Sequence, residues 1–209
     1  MKNICSRLLP LFVPLLLTQF AAAQSGFDVN IGFGSAHAKS TGERIETFGD
    51  GVLYRTPTLN GFFLGFGGNL MLYKHLGFGA EINLQPNKPD YAGLKARNTF
   101  WDVNAIYQPF AAKRAAVQLQ GGIGGANVRF YFSDSGCNGF TGCRSSTQFI
   151  DSSNHFQVHG GVGIQAYLTD HVFLRPQIDV HYVHNFFQYG TNWVPSATVW
   201  LGYSFGDRP

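Results

Sequence analysis

From residue 27 to residue 205 one pattern recurs: apolar side chains at every second position, with Gly, Asn, Gln and isolated charges between them. A period of two marks a strand with one apolar face. After residue 23 no apolar run reaches the roughly 18 residues of a spanning helix. The first segment sets Phe27, Val29, Ile31 and Phe33 against Asp28, Asn30, Gly32 and Gly34. The second runs over 62–72, with Phe62, Leu64, Phe66, Leu70 and Leu72 on one face and Phe63, Gly65, Gly67 and Asn69 on the other. The third sets Leu76, Phe78, Ala80, Ile82 and Leu84 against Glu81, Asn83 and Gln85. The fourth sets Trp101, Val103, Ala105 and Tyr107 against Phe100, Asp102 and Asn104. Segments over 117–124, 156–168, 172–182 and 197–205 continue the alternation and bring the total to eight strands.

The connections alternate in length. Short ones lie near 73–75, 109–114 and 169–171; longer ones, rich in Gly, Ser, Asn and Asp, cover 37–60, 86–97, 133–154 and 184–193. In an antiparallel meander this alternation places every long loop at one end, the layout of an up-and-down barrel. The expected fold is all-β: an eight-stranded antiparallel up-and-down transmembrane β-barrel with short periplasmic turns and long extracellular loops.

Alternation also fits a soluble barrel with an apolar ligand cavity, of the lipocalin kind. Three features favour lipid outside. Only 13% of the chain is charged, and the polar face carries Gly and scattered Asp28, Glu81, Asp102, Arg175 and Asp179 where a solvated wall would carry many Lys and Glu. Aromatics stand at strand ends on the apolar face: Phe27, Tyr107, Tyr203 and Phe205 toward the short turns, Trp101 and Tyr182 toward the long loops. The apolar faces are almost free of charge over the ~9–11 residues that a tilted strand needs to cross.

Residues 1–23 read as a secretory signal peptide. Lys2 and Arg7 precede an apolar stretch from Leu8 to Phe20, and Ala21-Ala22-Ala23 meets the cleavage rule. The barrel is expected over 24–209. Removing Lys2 and Arg7 takes the basic count from 15 to 13 against 12 acidic residues, a net charge of +1. No Lys/Arg cluster remains to suggest nucleic acid as a partner. Cys137 and Cys143 survive in Cys-Asn-Gly-Phe-Thr-Gly-Cys, an even count whose two glycines permit the reversal a disulfide needs. The spacing is not that of a zinc site.

The last strand, Val199-Trp200-Leu201-Gly202-Tyr203-Ser204-Phe205, alternates and ends in Phe. In this the chain resembles the eight-stranded bacterial outer-membrane barrels of the OmpA/OmpX type, over residues 24–205. The resemblance implies a bacterial outer-membrane location, and that Tyr203 and Phe205 form a C-terminal signal read by the outer-membrane assembly machinery. Gly206-Asp207-Arg208-Pro209 extend past that signal. The peptidoglycan-binding half of longer family members is not expected after the barrel.

With a turn centred on Asp170, partners across the sixth and seventh segments sum to 340, so His159 faces His181, Gly161 faces Asp179 and Gln165 faces Arg175. Two imidazoles beside a carboxylate can bind a transition metal; a hydrogen-bonded polar lumen explains them better. Asp28, Glu81, Asp102 and Asp179 with Arg175 form the expected lumenal ion network, and Trp200, inward by parity, is the expected plug. No metal or cofactor is expected.

Small outer-membrane barrels include lipid A deacylases and palmitoyl transferases, but no His here is followed by Ser at the deacylase's His-x-Ser spacing and no amphipathic helix precedes strand one. Asp151-Ser152-Ser153-Asn154-His155 groups the residue types of a nucleophilic site, and loop polarity accounts for it. Aromatics near the loop end, Tyr54, Phe62, Phe63, Tyr91, Phe140, Phe186, Phe187, Tyr189 and Trp193, are read mainly as an outer lipid girdle. The function expected is structural or interactive, by a monomer embedded in outer-membrane lipid that presents its loops to a surface partner. A small pore and a lipid-modifying enzyme are the alternatives.

Overall fold

The computed structural model describes residues 26–206 apart from 74, 113 and 139–141, and the side chains of 135–138 and 142–144 are likewise outside the description. The predicted signal peptide and Phe140 lie outside the described residues. Eight long strands form the wall: β1 (Gly26–Ala38), β4 (Leu59–Tyr73), β5 (Leu76–Leu84), β7 (Leu94–Ala112), β8 (Ala115–Asn138), β9 (Gly142–Tyr167), β10 (Val172–Val183) and β11 (Trp193–Phe205). A hairpin of β2 (Arg44–Glu46) and β3 (Leu53–Arg55) and the short β6 (Asp90–Tyr91) belong to the loops.

Each wall strand pairs antiparallel with its sequence neighbour in the wall. The ring closes where β1 meets β11, with Phe27 opposite Phe205 and Ala36 opposite Ser196. A closed ring leaves no unpaired edge, which is the condition for crossing lipid with strands.

The alternation decides which side faces lipid. Ile123 and Ile178 are 59% and 61% exposed, whereas Arg175 and Trp200 are fully buried. On the wall strands the continuous apolar face of the alternation points outward and the face carrying the Asp, Glu, Gln and His residues points inward, so the barrel is not a soluble one folded around an apolar cavity. Phe27, Tyr107, Tyr203 and Phe205 are all exposed near the short turns, and Phe27 stacks on Phe205. Tyr182 packs edge-on against Trp193 near the loops. Trp101 is outward too, but it lies mid-strand with its indole over Gly125, where a Cβ would come within 2.8 Å of the ring.

The expected loop over 133–154 is mostly strand. β8 and β9 stay paired up to Asn138 opposite Gly142, with one register shift at Phe130/Tyr131, and stand well above the other hairpins. Gly, Asp and Asn are poor strand formers in isolation, but a strand already pinned in register extends through them, since sheet preference is set by context.

Candidate functional site

Among the described residues, the bore of the barrel is where charged side chains are brought together away from water. Parity fixes its lining: Glu81 on β5, Asp102 and Asn104 on β7, Gln120 on β8, His159 on β9, and Arg175, Gln177, Asp179 and His181 on β10 all point inward and are buried. Arg175 Nη2 donates to Glu81 Oε1 at 2.9 Å. Gln177 Nε2 bridges the Glu81 carboxylate at 3.3 Å and both oxygens of Asp179 at 3.0 Å. Gln120 reaches the same two carboxylates.

One layer up, His159 Nε2 meets Asp179 Oδ1 at 2.9 Å and its Nδ1 meets Asn104 Oδ1 at 3.0 Å. Asn104 Nδ2 donates to Asp102 Oδ1 at 2.6 Å. His181 stands opposite His159 in the register, as does Asp179 opposite Gly161. The two imidazoles stack with centroids 4.7 Å apart and planes within 15°, so their nitrogens run side by side and do not converge on a point. Among the described residues no group of three His, Cys, Asp or Glu side chains could hold a metal ion. Asp28 is buried between Ser204 and Asn69 in the register and interacts with the charge of Arg175, a member of this network, with no direct ion pair between the two among the described residues.

Beside the network the bore is filled by rings. Trp200 stands opposite Arg175 in the register, and the Arg175 guanidinium is 5.5 Å from the indole centroid. Its neighbours are glycines for a steric reason: a Cβ on Gly32 or Gly65 would come within 2.7 Å of the indole. Gly202 makes the same room for Phe173, which is fully buried.

Above the network the lining turns apolar. Phe63 and Phe100 point inward from the wall, and Tyr91, Phe186 and Tyr189 enter from loops to pack with Phe130 and Val183. Phe100 also packs 5.5 Å from His181, the contact where the two chemistries meet. Burial pushes the Tyr189 phenol far above its ordinary range, so it remains a donor, to Asn98 Oδ1 at 2.9 Å. Tyr91 Oη donates to the Gln188 carbonyl. The girdle reading is therefore corrected for Phe63, Tyr91, Phe186 and Tyr189, which close the bore from inside; Phe62 and Trp193 do face outward.

Residues 8–205 match the model of the outer membrane protein beta-barrel domain. The chain belongs to that family. This outer-membrane barrel shares its fold with solved structures of low sequence identity. Ail, the attachment invasion locus protein of Yersinia pestis, in complex with the heparin analogue sucrose octasulfate, is 12% identical with a TM-score of 0.53, covering 87% of this chain and 100% of Ail. Neisserial surface protein A is 15% identical with a TM-score of 0.54, covering 85% and 95% of the two chains. OprG from Pseudomonas aeruginosa is 14% identical with a TM-score of 0.52, covering 88% and 97%. No curated protein matches the chain in sequence.

At the mouth of this outer-membrane barrel Ser153 Oγ lies 2.8 Å from His155 Nε2. The imidazole is wedged edge-on against Phe186 and Phe187, and among the described residues no carboxylate is ion-paired with it. Asp151 instead accepts from the Ser152 amide, so the five-residue cluster does not form a nucleophile–base–acid relay. The backbone register sets Cys137 opposite Cys143; their side chains lie outside the described residues. Phe173 escaped the sequence reading although its parity placed it inside.

Proposed function

We propose that this outer-membrane barrel is a closed, non-conducting protein with no reaction of its own, which braces the envelope and presents a surface projection, the raised β8–β9 hairpin, to a partner. The observation that carries the proposal is the filling of the bore along its length, by Trp200 and Phe173, by the Glu81–Arg175–Asp179 network, and by Phe100, Tyr91 and Tyr189. An eight-stranded barrel has room for side chains and little else. In this reading Trp200 is the plug, the buried ions hold the wall strands in register, and Tyr203 and Phe205 are the signal for assembly. A fold that also serves an attachment protein suits a surface role.

Planar-bilayer recording of the detergent-folded protein tests closure. No steps above the bare bilayer are expected; steady unitary currents would replace this reading with the pore. A variant lacking residues 133–148 tests the projection: in a deletion strain it is expected to restore detergent resistance and to leave surface adhesion lost. Adhesion equal to that of the full chain would remove the hairpin from the function.

Cys137 and Cys143 close that hairpin as a disulfide in the same proposal. Directly opposed residues of an antiparallel pair have Cα atoms about 4.5–5.5 Å apart, inside the range a disulfide spans. Alkylation of the purified protein should occur only after reduction. Labelling of both thiols without reductant would exclude the bridge.

A further inference from the structure

The outer surface of the wall carries a polar feature where the barrel's apolar band ends. On β7 the outward positions Trp101, Thr99 and Arg97 follow one another toward the loops, and on β8 Asn127 and Arg129 climb beside them. The register places Arg97 directly opposite Arg129. Like charges facing each other across an antiparallel pair repel, so this arrangement calls for an anion between them.

The protein does not supply one among the described residues. Among the described residues the ion pairs are Lys95–Asp90 and those of the bore, so neither arginine has a carboxylate partner. Arg129 is held in place by amides: its Nε donates to Asn127 Oδ1 at 3.0 Å, and Asn127 in turn donates to Asn154 Oδ1 at 2.7 Å. Arg97 Nε is buried without a hydrogen-bond partner. Lys88 Nζ lies 4.2 Å from the centroid of Tyr131, and the Arg97 guanidinium lies 5.9 Å from the same ring. The positive charge is concentrated and held in place.

Beneath the arginines a cleft of about 590 Å³ continues down the lipid-facing wall, floored by Leu64, Ile82, Leu84 and Trp101. Arg97 stands four residues beyond Trp101, which is about 13 Å along the strand. At the tilt of a barrel strand that is roughly 10 Å along the membrane normal, the step from acyl chains to headgroups. Guanidinium groups pair with phosphate in a bidentate fork, and such charge-assisted bonds are the strong ones.

We propose that this cleft binds one phosphorylated lipid of the outer leaflet, with a phosphate between Arg97 and Arg129 and an acyl chain along Leu64, Ile82, Leu84 and Trp101. The long-loop end of the barrel faces the cell exterior, so the site opens to the leaflet in which such lipids are available. The arginines supply charge and orientation; the apolar floor selects for a molecule that carries its phosphate beside hydrocarbon.

The test is thermal unfolding of the folded full-length mature chain in phosphatidylcholine nanodiscs, alone or with added diphosphorylated lipid A, dephosphorylated lipid A, or inorganic phosphate in the buffer. Diphosphorylated lipid A should raise Tm, and the other two additions should not. The double variant R97Q/R129Q, shown to be folded by its heat-modifiable gel migration, should lose the rise, with affinity falling roughly tenfold or more per arginine. Arg44 and Arg55 face each other in the β2–β3 hairpin and provide the control: R44Q/R55Q should keep the rise. An absent rise in the wild type, an equal rise in R97Q/R129Q, or an equal rise with the dephosphorylated lipid would overturn the proposal. A rise with inorganic phosphate alone would show an anion site without the lipid.

Discussion

On β7 the inward positions change character within a few residues. Asp102 and Asn104 join a network of carboxylates, amides and imidazole, while Phe100 and Ala96 belong to an apolar cluster with Phe63, Phe130 and Phe186. Both regions fill the same bore, and their components come from different places. The polar region is made wholly from wall strands, so a common register positions every member. The apolar region borrows Tyr91, Phe186 and Tyr189 from loops, which the bore then holds in place. A polar filling demands partners for each atom and is costly to disturb. An apolar filling tolerates imprecise arrival and loses stability in proportion to what is removed.

Arg175→Ala should have the largest effect. It leaves Glu81 buried without its cation, and a loss of about 3–5 kcal/mol is expected in the urea midpoint of the detergent-folded protein. A loss under about 1 kcal/mol would mean that the polar region is no more demanding than a surface patch. Phe186→Ala comes next, at about 3 kcal/mol for a fully buried ring. Because it enters from a loop, its removal should also speed proteolysis of the connection between β10 and β11. Unchanged cleavage would show that the loop is held by something other than the bore. Tyr189→Phe is the smallest: the ring stays and only the bond to Asn98 is lost, about 1 kcal/mol in the same assay. A larger loss would reveal that the upper region, too, depends on exact polar pairing.

The same division explains what could be read from the chain alone. Wall strands announce themselves by parity, and a short connection such as the one around Asp170 fixes which residues face each other, as His159 and His181 do. Loop residues have no period to betray their destination. Tyr91 and Tyr189, exposed by any local argument, are buried only because a bore of the right width lies beneath them. The height of the β8–β9 hairpin was hidden for a related reason, since its Gly, Ser, Asn and Asp residues resemble a loop until the pairing below them is known. Arg97 and Arg129 are more than thirty positions apart in the sequence, and their opposition becomes visible only once β7 and β8 are in register.

Gly32 lies on the first strand of the wall, Gly65 on the second, and the indole that occupies the space above them on the last. The recess is thus translated at the beginning of the chain and its filler at the end. Until β11 arrives, the early strands hold an unfilled hollow, and the act that seals the β1–β11 seam is the same act that seats Trp200. A chain interrupted before residue 193 would have neither seam nor filler, so incomplete products cannot pass for finished barrels.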